Sequence, residues 1–157
     1  MAEKKYTPMM QHYLKMKEEN PESILFYRLG DFYEMFFEDA KLVSQELDLV
    51  LTGRSAGVEE KVPMCGIPFH AANSYIQRLV KKGYKVAICE QLEDPSSAKG
   101  LVDRGIIKII TPGTYMDATM DAKSTNYMAS CDVSSFEITV IYCELSTGEV
   151  QIIQINL

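Results

Sequence analysis

A seven-residue stretch, residues 30–36 with the sequence GDFYEMF, places a large aromatic ring close to a carboxylate. It follows an apolar run over residues 24–29, and Gly-Asp at its start is a turn signal. If the stretch continues as a second strand, side chains alternate between the two faces of the sheet. Phe32, Glu34 and Phe36 then share one face, so an aromatic ring and an acid project side by side from the start of a strand.

The pattern alone leaves two interpretations of this stretch open. In the first, the stretch is a hairpin whose aromatic side chains all belong to the core and whose Glu34 lies on a solvated edge. In the second, Phe32 and Glu34 form an exposed functional pair, and Tyr33 and Met35 anchor them from the opposite face. Phe36 shares the face of the pair, but we assign it to structural support.

The sequence carries no recognisable catalytic motif. It has no G-x-x-x-x-G-K-[ST] phosphate loop, no G-x-G-x-x-G and no G-x-S-x-G elbow. Asp31 and Glu34 could be considered as a metal-binding acid pair, but their spacing points them to opposite faces, and no nearby Lys or His completes a set. We therefore predict neither a catalytic nor a metal site.

The four cysteines are widely spaced, lie in apolar contexts and form no C-x-x-C pair. Neither His12 nor His70 lies near one of them at metal-ligand spacing. This pattern favours reduced cysteines in the core of a cytosolic protein over a zinc site or a disulfide framework. The four residues are Cys65, Cys89, Cys131 and Cys143.

Length and composition are those of a soluble globular protein. The chain has 157 residues, 46% of them hydrophobic and 24% charged, enough for one domain and part of another. No apolar run approaches the roughly 18 residues of a membrane span, and no signal peptide is recognisable. Charge is uneven: residues 1–115 hold 15 Lys/Arg and 16 Asp/Glu, whereas residues 116–157 hold 1 and 6. This asymmetry predicts two units, of which only the first can carry a basic patch.

Helices and strands that would position the stretch alternate along the first unit. Thr7-Pro8 predicts a helix start and Asn20-Pro21 its end. A second helix has Ala40, Val43 and Leu47 on its inner face, and a third covers residues 70–82, closed by Gly83. The predicted strands are residues 24–29, 49–52, 62–68, 85–90 and 106–110, with Pro63 and Pro68 confining the third to an edge or an irregular path.

These elements predict an α/β (α+β) fold with a mixed β-sheet flanked by helices. Residues 116–126 are polar and without periodicity, so we interpret them as a linker. Three strands without a following helix, residues 127–133, 136–145 and 149–155, then form an antiparallel meander that begins a second domain. We expect the chain to stop inside that domain.

Several segments of the chain match those of a known family in the same order. They are Thr7-Pro8-Met9-Met10-Gln11, Leu25-Phe26-Tyr27-Arg28, Gly30 to Phe36, Asp39-Ala40, Pro63 to Pro68, Ala87-Ile88-Cys89-Glu90-Gln91 and Thr111-Pro112-Gly113-Thr114. Through these segments the chain resembles the N-terminal part of the MutS family of DNA mismatch-repair proteins, closely over residues 7–115 and more loosely beyond. The resemblance implies a mismatch-recognition domain over residues 1–115 and the start of a connector domain over residues 127–157.

Phe32-Tyr33-Glu34 matches the Phe-x-Glu motif of that family. The resemblance implies that Phe32 wedges into the duplex from the minor groove and stacks on a mispaired or unpaired base, to which Glu34 hydrogen-bonds. A mismatch has already lost part of its pairing and stacking, so a wedge that must offset the unstacking cost enters there more readily. The minor groove is suited to a sensor that ignores sequence, because its pattern is degenerate.

A carboxylate near phosphates is unfavourable, and two hypotheses address Glu34. In the first hypothesis, Glu34 is protonated in the complex with DNA. In the second, Glu34 penalises binding to well-paired DNA. Arg54 and Lys61 bracket a polar loop and are candidate phosphate contacts, although Glu59-Glu60 make that loop less basic than a DNA-facing segment. Met64 is a candidate to pack beside the wedge.

The resemblance also implies partners and cofactors outside this stretch of chain. The ligand would be double-stranded DNA with mismatches or small loops, bound by a domain without catalysis or a cofactor of its own. The full-length protein would be a homodimer that acts with MutL, carries ATP and Mg²⁺ in a separate ATPase domain, and works in the bacterial cytoplasm at the nucleoid, away from any membrane. The alternative is a non-catalytic interaction module of a homologue that does not sense mismatches.

Overall fold

Thr7 and Pro8 start the first helix, as predicted. In the computed structural model, which describes residues 6–93, 102–114, 127–145 and 147–157, helix α1 runs from Pro8 to Glu19. The Thr7 hydroxyl accepts a hydrogen bond from the Met10 N–H at 3.4 Å, which satisfies one of the free donors of the first turn. The chain then enters the sheet.

A six-stranded sheet organises the first unit. Its strands lie in the order β3-β4-β2-β1-β5-β6. Strands β1 and β5 are parallel, and every other neighbouring pair is antiparallel, which confirms the predicted mixed sheet. The strands are β1 (Ser23–Leu29), β2 (Phe32–Phe36), β3 (Thr52–Arg54), β4 (Val62–Pro68), β5 (Lys85–Gln91) and β6 (Arg104–Ile110).

Helices cover both faces of this sheet. Met10 and Tyr13 of α1 are buried in one core cluster with Leu25, Tyr27 and Phe36 of the first face. Helix α2 (Phe37–Leu47) covers the opposite face, where the Cys65 thiol lies 3.5 Å from the Ala40 carbonyl oxygen. A 3-10 turn (Phe69–Ala71) leads into α3 (Ala72–Lys81), which contacts α2 and β5. The inner face predicted for α2 is buried, as are Ile76, Leu79 and Val80 of α3.

The predicted strand over residues 49–52 is wrong except for its last residue. Helix α2 ends at Leu47, the next residue, Asp48, has a left-handed backbone at φ 56°, and pairing with β4 begins only at Thr52. Val50 is 82% exposed, so the apolar run before Thr52 passes the sheet without joining it. Arg54 consequently belongs to a strand and not to the predicted loop.

The expected edge position of the strand over residues 62–68 is also wrong. Strand β4 is internal, with Val62 to Met64 paired to β3 and Met64 to Pro68 paired to β2. Its two prolines lie at the second and last positions of the strand. The residues between them keep their N–H groups for the ladders, which is how an internal strand tolerates proline.

The second unit is the predicted antiparallel meander of β7 (Tyr127–Val133), β8 (Glu137–Glu144) and β9 (Glu149–Asn156). Internal contacts divide the chain into residues 1–112 and residues 113–157. The assignment of these units to a recognition and a connector domain stays a prediction. The predicted linker over residues 116–126 lies outside the described residues.

All four cysteines are free. Cys65 and Cys89 are buried, as predicted, and burial raises the pKa of each thiol to about 12. The core interpretation is wrong for Cys131, which is exposed, and Cys143 is half-buried. Both lie in the three-stranded unit, where β7 has no covering layer among the described residues.

Candidate nucleic-acid interface

A tight turn at Gly30 brings Phe32 to the start of β2. Strands β1 and β2 form an antiparallel hairpin in which Leu29 lies opposite Phe32. Gly30 has φ 58°, a conformation that suits glycine, and the space around its missing side chain is open. The turn is fixed from outside, because the Phe69 N–H donates to the Asp31 carbonyl oxygen at 2.9 Å.

Exposure falls steadily along one face of β2. Phe32 is 47% exposed, the Glu34 side chain 15% and Phe36 1%. At the buried end of the strand the Tyr13 ring of helix α1 packs edge-on against Phe36, with centroids 4.9 Å apart. The all-core interpretation is therefore right for Phe36 and wrong for Phe32.

Tyr33 and Met35 are buried on the opposite face, which agrees with their predicted anchoring role. The Tyr33 hydroxyl donates to the Glu90 carboxylate, and its ring packs against Phe26 with centroids 5.9 Å apart. A phenylalanine exposed on one face of β2 is thus held by two buried side chains on the other.

Arg28 extends this anchor, and sequence reasoning missed it. Its guanidinium carbon lies 3.7 Å from the Phe69 ring centroid and 5.6 Å from that of Tyr33, within cation–π range. Its Nη1 lies 3.3 Å from Glu90 Oε1. The signal that could have identified it is an arginine inside an otherwise apolar strand, which requires a buried partner.

We expect the Tyr33 contact to give the fold an alkaline limit. Burial and the hydrogen bond to Glu90 raise the pKa of Tyr33 to about 12, from an ordinary value of about 10. Stability from the neutral phenol is complete below about pH 10 and falls as the pH rises toward about 12, because the unfolded chain releases the proton first. Urea unfolding across this range should lose less stability with pH in Tyr33→Phe than in the unmodified chain; an identical pH dependence would contradict the contact. Tyr27, whose pKa is also raised to about 12, is retained in both proteins.

The far end of β2 is fixed where the strand turns into α2. Phe37 has φ 54°, unusual for a residue with a side chain. The Tyr13 hydroxyl accepts from the Phe36 N–H at 3.2 Å and lies 3.3 Å from the Phe36 carbonyl oxygen. Buried Asp39 accepts hydrogen bonds from the Leu25 N–H and the Lys17 ammonium, both at 2.9 Å. Strand β2 is therefore held at both ends.

A cavity of about 510 Å³ lies beside the exposed end of this face. Phe32, Glu34 and Met64 line it, and Gly66 lies opposite Glu34. A side chain at position 66 would contact Glu34 Cγ at 3.5 Å and the Phe32 ring at 4.0 Å, so glycine leaves this space free. The half-buried Met64 is thus brought to the same site as the pair.

Arg54 and Lys61 occupy different environments. The Arg54 guanidinium forms an ion pair with the Glu34 carboxylate and lies 6.0 Å from the Phe36 ring centroid. Lys61 is exposed and precedes β4, and no ion pair joins it to another described residue. The structure therefore brings four predicted residues together at the cavity, whereas the Lys61 side chain lies against Gly53 of β3.

Two other kinds of site are absent from the described residues. No group of three or more His, Cys, Asp or Glu side chains there could hold a metal ion. No helix in that part of the chain is long and apolar enough to cross a membrane.

Comparison with known proteins identifies the family. The model of MutS domain I matches residues 7–119. The "DNA mismatch repair protein MutS" of Clostridium botulinum (strain Loch Maree / Type A3) is 61% identical over 144 residues, covering 91% of this chain and 16% of the relative. The protein of the same name from Clostridium tetani (strain Massachusetts / E88) is 58% identical over 146 residues, covering 92% and 17%. The chain therefore belongs to the MutS family of DNA mismatch-repair proteins, of which it contains domain I.

Proposed function

We propose that residues 1–115 act as a mismatch-recognition module: Phe32 enters the minor groove at a mispaired or unpaired base and stacks on it, and Glu34 hydrogen-bonds that base. The observation that carries this proposal is the exposure of Phe32, 47%, on a strand whose other two aromatic residues are buried. Core packing does not explain an exposed ring at this position.

Stacking favours such a ring as a contact for an extruded or loosened base. Base–aromatic stacking contributes about 1–3 kcal/mol and is indifferent to sequence. Opening a base step costs a few kcal/mol, and a mismatch lowers that cost. The difference in affinity between mismatched and matched duplexes therefore comes from their deformability. This suits a sensor that must respond to many mismatches.

Met64 and the open cavity support the same role. A methionine is flexible and polarizable enough to pack beside rings of different shape. The cavity beside Phe32 is wide enough to leave the ring accessible and is bordered by the Glu34 acceptor. We propose Met64 as a packing contact, and Arg54 and Lys61 as residues near the DNA.

The proposal extends to the complete protein only by family membership, because the chain spans 16–17% of the length of the relatives described above. There we propose a homodimer that binds mismatched DNA, acts with MutL, and uses ATP and Mg²⁺ in another domain, in the bacterial cytoplasm at the nucleoid. The module itself would contribute binding and no catalysis or cofactor.

The test is the affinity of the complete protein for two duplexes that differ by one unpaired thymine, measured at one stated salt concentration. We expect tighter binding to the duplex with the unpaired base. Equal affinity would contradict the proposal and favour the interaction module that does not sense mismatches. Salt must be fixed because phosphate contacts make every such affinity salt-dependent.

A further inference from the structure

We infer that Arg54 is a positioning residue for Glu34: it holds the carboxylate in place at the wall of the cavity and carries the counter-charge with which that carboxylate approaches DNA. This inference rests on the proposed function. It assigns to Arg54 a role different from the phosphate contact that a loop arginine would suggest.

The position of Arg54 in the sheet supports this role. Strand β3 consists of three residues and places Arg54 opposite Val62 of β4. From there the side chain extends over the face that carries Phe36 and ends at Glu34. Its guanidinium therefore lies near a buried ring and is paired with Glu34, while the Arg54 side chain as a whole is 36% exposed.

Charge near the cavity explains why Glu34 needs a partner. Glu34 and Asp48 both line this cavity, so its border is acidic before any phosphate approaches. The Glu34 side chain is 15% exposed and has lost most of its own hydration. A partly buried carboxylate without a partner is destabilised, and the phosphates of a duplex would add to that cost.

An arginine meets this need in a way that a more distant cation would not. Its guanidinium stays charged throughout the accessible pH range, and its planar donors fix the direction of a carboxylate as well as its charge. The pair carries no net charge, so Glu34 can accept a hydrogen bond from a base without bringing an uncompensated negative charge to the duplex.

A double-mutant cycle in the complete protein tests the inference. We expect Arg54→Gln to weaken binding to the unpaired-thymine duplex about tenfold, as for loss of a hydrogen bond to a charged group. In a protein that already carries Glu34→Gln, the same change should weaken binding to this duplex less than about twofold, because no carboxylate is then left uncompensated. Arg54→Lys, which keeps the charge but loses the planar fork, should recover part of the loss and covers the case in which Arg54→Gln does not fold.

Lys61→Gln is the matched control, since it removes one positive charge close to β3 without touching Glu34. Its effect should be the same in the presence and absence of Glu34→Gln. Salt dependence adds a readout that does not depend on folding stability. The double variant Arg54→Gln, Glu34→Gln has the same net charge as the unmodified protein, so its slope of log affinity against log salt should be unchanged. Loss of a phosphate contact would reduce that slope by about 1.

Additive effects of Arg54→Gln and Glu34→Gln, together with a reduced salt slope, would overturn the positioning role and establish Arg54 as a phosphate contact. Phe32→Ala, measured beside these variants, separates this result from failure of the proposed function. If Phe32→Ala abolishes the mismatch preference and the cycle is additive, only the positioning role is overturned. If Phe32→Ala leaves the preference unchanged, the proposed function and the positioning role are both overturned.

Discussion

Replacing Phe32 by alanine should abolish the preference of the complete protein for mismatched over matched duplex and leave the fold intact. Removal of the ring takes away stacking of about 1–3 kcal/mol, which corresponds to roughly fivefold to hundredfold weaker binding. Matched duplex should be bound almost as before, because contacts to its backbone do not require the wedge. The measurement is the ratio of the two affinities at one salt concentration.

Phe69→Ala is the matched control for this prediction. Phe69 is 41% exposed, similar to Phe32, but its ring packs on Arg28, whose side chain leaves β1 on the face opposite to Phe32. The Phe69→Ala substitution removes a comparable ring from the same end of the sheet. It should preserve the ratio of the affinities for mismatched and matched duplex. A ratio unchanged by Phe32→Ala, or lowered equally by both variants, would contradict the assignment of Phe32.

Replacing Asp39 by alanine should lower the free energy of unfolding by about 3 kcal/mol, as expected when a buried charged acceptor is removed from its donors. The Asp39 side chain is 8% exposed and bonds to the Leu25 N–H and Lys17 at 2.9 Å, with the Tyr13 hydroxyl at 3.5 Å. The variant leaves the buried N–H of Leu25 without its acceptor. Chemical denaturation of the 157-residue chain, followed by circular dichroism, measures the loss.

Glu38→Ala provides the comparison, because Glu38 is the adjacent acid in the same first turn of α2. Its side chain is 84% exposed and, within the described part of the chain, pairs with Lys41 on the helix surface. Exposed pairs of this kind contribute less than about 1 kcal/mol. Equal losses for the two variants would show that Asp39 acts through the helix dipole alone, as its position in the sequence suggests, and not through its buried contacts.

The sequence was sufficient for the parts of the fold that depend on local patterns. Apolar periodicity and capping residues located α1 and α2, and alternation along β2 put Phe32, Glu34 and Phe36 on one face. The same alternation could not show that Phe32 is exposed. Exposure depends on which elements cover the sheet, and packing between elements far apart in the chain decides that.

Long-range pairing explains most of what local patterns missed. The position of β4 inside the sheet follows from the strand order, which the positions of the prolines in the sequence do not determine. The Arg28–Glu90 and Arg54–Glu34 pairs join residues 62 and 20 positions apart, so no spacing rule brings them together. Asp39 reads as a surface acid in a first turn, and only the fold reveals that the Leu25 N–H lies within its reach.

Strand β2 is bonded on both sides, to β1 and to β4, and this has a mechanical consequence. A load applied to Phe32 is shared between two ladders of hydrogen bonds, and the buried Tyr33 and Met35 oppose rotation of the strand. In the proposed encounter the protein is therefore the stiff member and the duplex the compliant one. The module would keep its shape on binding, and the free energy of deformation would be taken up by the DNA. A mispaired or unpaired base lowers that deformation energy.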